Sequence, residues 1–63
     1  MKHTTEEMFD YLVLVVGSSY SGLNMLIGIN GDTKETYNDA LYFLTGERDI
    51  DASIDEYNAE MED

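Results

Sequence analysis

The chain has 63 residues, fourteen of them acidic, three Lys or Arg and one His, for a formal charge of -11, with 43% apolar residues and no cysteine. That charge excludes direct nucleic-acid binding, which draws its affinity from clustered Lys and Arg, and the missing thiols exclude disulfides, thiolate metal sites and a cysteine nucleophile. One small domain spanning residues 1–63 is expected, burying only about 60% of the surface its unfolded chain exposes.

The longest apolar run, Tyr11 to Val16, is far short of the roughly 20 residues that cross a bilayer. The first residues lead straight into Glu6 and Glu7, unlike a signal peptide. Excess negative charge also disfavours anionic membrane surfaces. These features predict a soluble, cytoplasmic protein that does not bind membranes.

In chain order, Thr4 and Glu7 have the spacing of a capping box and predict a helix from about Thr5 to Val16. Met8, Leu12 and Val15 share one face. Tyr11, Val13, Leu14 and Val16 make the last turns apolar all round, which predicts a centrally buried element. The valines at 13, 15 and 16 also suit a buried strand, paired through Gly17–Gly22 with Leu23–Ile29. The fold class is therefore all-α with three to four helices, or α+β with a hairpin over 11–29 packed on two C-terminal helices. In the helical reading Ser21 caps a short second helix, and Gly31 ends it in the left-handed conformation.

Asp32 with Glu35 repeats the capping-box spacing, and Tyr37, Ala40, Leu41 and Leu44 recur at helical intervals until Thr45 and Gly46. A last helix starts at Ser53 with Glu56, or slightly earlier at Asp51. Its apolar stripe is Ile50, Ile54, Tyr57 and Met61.

Charge is unevenly divided along the chain. Residues 1–31 hold Glu6, Glu7 and Asp10 against Lys2, a sum of -2, whereas residues 32–63 hold eleven acids against Lys34 and Arg48, a sum of -9. On a wheel of the last helix the apolar stripe spans about 340° to 40°. Asp49, Asp51, Asp55, Glu56, Glu60, Glu62 and Asp63 fall between about 100° and 280°. Seven carboxylates in fifteen residues make roughly one charge per 3 Å of helix, close to the 3.4 Å rise between phosphates on one DNA strand. Solubility alone needs a net charge of only about 2 to 8, so the excess points to a field kept for its own sake.

These features predict an acidic mimic of a nucleic-acid backbone that occludes the basic groove of a DNA- or RNA-handling protein. In size and composition, though in no motif, the chain resembles the small DNA-mimic inhibitors that phages and mobile elements direct at restriction, repair or CRISPR enzymes. That resemblance implies a competitive inhibitor acting in the host cytoplasm. Asp49, Asp51, Asp55, Glu56, Glu60 and Glu62 stand in for phosphates, and Asp39 and Glu47 extend the field. Tyr42 or Phe43 serves as an aromatic anchor. Both rings lie more than about 100° from the Tyr37–Leu41–Leu44 stripe, on opposite sides, so at least one is exposed unless a homodimer seam or the core covers both. Reversing Asp55 and Glu56 to Lys should abolish inhibition with the fold intact.

Two other functions compete. The first is a protein-interaction module or regulatory subunit docking through an apolar surface around Leu41–Phe43, with charge serving solubility. The second is weak calcium binding. Asp49, Asp51, Ser53 and Glu60 fall at positions one, three, five and twelve of a segment that resembles an EF-hand loop over twelve residues. Ile54 stands where that loop needs glycine, and Glu56 where it carries an apolar residue.

Catalysis is not expected. Gly17–Gly22 has the outer glycines of a phosphate loop without the following Lys-Ser/Thr. His3, the single histidine, lies in a segment expected to fray. No Asp-Ser-Leu attachment site of the acyl-carrier type occurs. No cofactor is expected.

Overall fold

Thr4 opens the first helix as its spacing requires. In the computed structural model, which describes residues 3–61, its hydroxyl accepts from the Glu7 amide at 3.1 Å while the Glu7 carboxylate accepts from the Thr4 amide at 3.2 Å. Helix α1 runs Thr5–Tyr11 and continues as a π-helical segment, Leu12–Val16, that ends at Gly17. Helices α2 (Tyr20–Asn30), α3 (Lys34–Thr45) and α4 (Ile50–Met61) follow. The architecture is all-α, and no strand occurs among the described residues.

The hairpin over 11–29 is therefore not formed. Ser19 accepts from the Gly22 amide at 3.2 Å and starts α2, and Leu23, with Leu26 and Ile27 at helical spacing, turns toward the core. Burial of that face outweighs the strand preference of the neighbouring valines. The cap is Ser19 and not Ser21, because Tyr20 and Ser21 already lie within the helix. Gly31 ends the helix as expected, but with φ 104° and ψ 157° it is extended at positive φ instead of left-handed helical. Glycine tolerates either.

The π turn changes which valine is buried. Met8 and Leu12 are fully buried as expected, but with i→i+5 bonding Val15 and Leu14 swing outward to 40% and 79% exposure. Val13 and Val16 pack against the core in their place. The expectation that this segment is enclosed on all sides fails for that reason.

Helix α3 is capped by Thr33, whose hydroxyl accepts from the Thr36 amide at 3.4 Å, and not by Asp32. The Asp32 carboxylate accepts instead from the Tyr37 hydroxyl and from Thr5 Oγ1, binding the start of α1 to α3. Burial of the ring and that hydrogen bond push the Tyr37 phenol well above its usual pKa. Thr36, Tyr37, Ala40 and Leu41 are buried. Leu44 stays 44% exposed, and Gly46 closes the helix at φ 84°.

Helix α4 begins at Ile50, nearly a turn before Ser53, because Asp49 Oδ1 accepts from the amides of Asp51 (3.1 Å) and Ala52 (3.4 Å). The Ile50 amide donates to Asn38 Oδ1 at 2.8 Å, tying that start to α3. Ile50 and Ile54 enter the core beside Met8, Leu12, Leu23, Tyr37, Ala40 and Leu41. Tyr57 meets Tyr11 edge to face at 5.9 Å. Met61 falls off the stripe at 67% exposure. No helix among the described residues is long and apolar enough to cross a membrane.

Candidate functional site

Packing α1 against α3 and α4 sorts the carboxylates of the last helix into two groups. Asp51 is buried and holds Lys34 Nζ at 2.6 Å, with Asp49 Oδ1 at 3.6 Å from the same ammonium. The Asp51 bond is the chief cause of a raised Lys34 pKa. Asp51 also accepts from the His3 amide at 3.0 Å. Asp55 is half-buried, 2.9 Å from His3 Nε2. Both residues thus serve internal pairs, and the unbroken acidic face predicted from the helical wheel is interrupted. Glu62 lies outside the described residues.

His3 is correspondingly more than a frayed end. Its ring sits between Asp55 and Glu7, whose Oε2 is 3.4 Å from Nδ1. The hydrogen bond to Asp55, reinforced by Glu7, raises the imidazole pKa above its usual value despite partial burial. Bonding to the Thr4 backbone, then to His3, lowers that of Glu7. The groups at the ring are Glu7 from α1 and Asp55 from α4, while Asp51 takes the His3 amide and Lys34 of α3.

Because the folded pKa is raised, the stabilisation is complete below the ordinary imidazole value of 6.5 and is lost as pH rises through the higher folded value. An NMR titration of His3 should give a midpoint above that of an unstructured histidine. Asp55→Asn should bring it back down. An unshifted midpoint in the parent protein would refute the bracket.

What remains exposed on the acidic side gathers elsewhere. Glu56 and Glu60, one turn apart on α4, converge with Glu47 from the α3–α4 loop on a recess of about 210 Å³ that is also lined by Tyr11, Ser53 and Tyr57. Burial first, then the fields of Glu56 and Glu47, raise the Tyr11 phenol pKa. No ion pair among the described residues reaches these three glutamates; Lys34 is engaged by Asp49 and Asp51, and the Arg48 guanidinium lies 5.1 Å over the Tyr42 ring. Glu47 lines this recess beside α4, a placement the helical wheel could not show. Asp39, also exposed, stands apart between α2 and α3.

The calcium geometry is absent. Residues 50–61 form continuous helix, which sets Asp49 and Glu60 roughly 16 Å apart along the axis instead of around one ion. No group of three or more His, Cys, Asp or Glu that could hold a metal occurs among the described residues.

Both candidate anchors are exposed, Tyr42 at 52% and Phe43 at 88%, whereas Leu41 is buried. Phe43 and Leu44 line a groove of about 460 Å³ with Leu23, Leu26, Ala40 and Gly22, and Asp39 is its one charged wall. Met25 and Ile29 stand beside it at 68% and 76% exposure. The sequence carried an unread signal for this surface: from Tyr11 to Gly31 no residue is charged, in a chain that is 27% charged overall.

Fold and site together define, over the described residues, a small four-helix acidic domain with a carboxylate recess and, separately, an apolar groove with Asp39 on its wall. The chain matches no protein-family model, no curated protein and no solved structure.

Proposed function

We propose that this protein binds, and does not transform, its target: it occupies the basic nucleic-acid-binding surface of a partner protein and inhibits it by occlusion. The observation that carries this reading is the convergence of Glu47, Glu56 and Glu60 on one recess with no cation among the described residues to neutralise them. Three exposed carboxylates lining one recess give it a concentrated negative field. A partner Lys or Arg entering the recess gains charge-assisted hydrogen bonds and lies against the Tyr11 and Tyr57 rings. Asp49, exposed at the start of α4, and Glu35 and Asp39 on α3 extend the field that steers the encounter. Exposed charge along α4 is sparser than the wheel promised, with Glu56 and Glu60 separated by about 6 Å of rise. The partner is therefore met by a cluster more than by a phosphate-like row.

A second reading, docking through the apolar surface around Leu41–Phe43, is favoured by the exposure of Phe43 and Leu44, although Leu41 itself is not part of that surface. Salt separates the two. Capture of binding proteins at low salt, elution by a salt step and competition with DNA or RNA should release a basic, nucleic-acid-binding partner, because ionic contacts are screened. A partner that resists both salt and nucleic acid would overturn the occlusion reading.

A further inference from the structure

We propose that the uncharged face made by α2 and the C-terminal half of α3 is covered by a second copy of this chain, giving a two-fold dimer with its carboxylate recesses directed outward. The inference does not depend on the role of those recesses.

On α2, taking Gly22 as the origin, Leu23 and Ile27 point about 100° to 140° away into the core, while Met25, Gly22, Ile29 and Leu26 occupy about 300° to 40°. That second arc continues the groove lined by Phe43 and Leu44. Met25, Ile29, Phe43 and Leu44 are 68%, 76%, 88% and 44% exposed. At about 150 Å² per side chain, the low end for large residues, these fractions amount to roughly 400 Å². A stable interface takes about 600–1,000 Å² from each partner. These four side chains therefore supply about half of one partner's share, and the exposed surface of α2 around them adds to it.

Charge selects the occupant. Two chains of -11 repel wherever carboxylates meet, and α2, having none, is the helix at which they can approach, Asp39 being the one carboxylate on the groove's wall. A basic partner would be drawn instead to the acids of α3, α4 and the loop between them. Gly22, exposed within that arc, lowers the profile of α2 beside Met25 and Leu26.

Sedimentation across about 1 µM to 1 mM should show the mass rising by mass action from 7.1 kDa to twice that value. Added salt should strengthen the association, since it screens the repulsion between two like-charged copies. Met25→Glu and Ile29→Glu, both at solvent-facing positions, should each weaken it about 100-fold or more by burying an unpaired charge. Leu14→Glu, which adds the same charge at an exposed site lining the α1–α4 side, should leave it within a few-fold of the parent. A constant mass of 7.1 kDa throughout the range, association weakened by salt, or equal effects of Met25→Glu and Leu14→Glu would each overturn the proposal.

Discussion

Leu41→Ala is expected to leave little folded protein at 37 °C. Leu41 is 1% exposed and lies in the cluster that joins Met8 and Leu12 of the first helix to Ile50 and Ile54 of the last. Truncating a buried leucine costs about 2–5 kcal/mol, the spread reflecting how far the site can collapse. A core of this size rarely supplies more than about 3–5 kcal/mol. Each kcal/mol moves the melting temperature of such a domain by about 4–8 °C, so thermal unfolding followed by circular dichroism should show a fall of roughly 10–30 °C. Phe43→Ala, two positions along but 88% exposed, is the control and should move it by only a few degrees. Similar effects of the two substitutions would mean that α3 does not present Leu41 inward.

If the recess binds a basic partner as proposed, reversing Glu47, Glu56 and Glu60 to Lys together is expected to abolish that binding while retaining the fold. Each reversal changes the charge by two, so the net charge goes from -11 to -5. The three side chains are exposed, and no ion pair among the described residues depends on them, so the reversals break none of these internal pairs. A loss of affinity of about 100-fold or more is expected when basic groups of the partner meet like charge. Reversing Glu6, Asp10 and Glu35 to Lys, all exposed, reaches the same -5 at other sites and isolates net charge from position. Equal losses in the two variants would mean that the recess has no special role. The pair Asp55 and Glu56 is a poor choice for this purpose, because Asp55 holds His3 and its reversal would disturb the end of the chain as well as the surface.

Local signals in the sequence were read well where they involve neighbouring residues. The Thr4–Glu7 box forms as its spacing requires, α3 presents Tyr37, Ala40 and Leu41 inward, and Ile50 and Ile54 enter the core. Errors at the helix starts are of one kind: Ser19, Thr33 and Asp49 cap in place of Ser21, Asp32 and Asp51 or Ser53. Several residues in each stretch could accept the free amides, and tertiary contacts such as Tyr37 with Asp32 decide which of them is available. The π turn that exposes Val15 and Leu14 had no readable spacing, since it adds a residue to a turn within a uniformly apolar run.

By itself the sequence determined the helices after residue 31, the acidity, and the concentration of that acidity in the same half, because capping, periodicity and charge are properties of residues close together in the chain; it left residues 11–29 open between helix and hairpin. Only the tertiary structure decided which carboxylates stay on the exposed surface and which are drawn into internal pairs. His3 meets Asp55 across 52 positions, and Lys34 meets Asp51 from a different helix. Which of several equivalent acids is neutralised depends on how α1 and α3 lie against α4. That arrangement is set by burial of apolar side chains, which no charge count records.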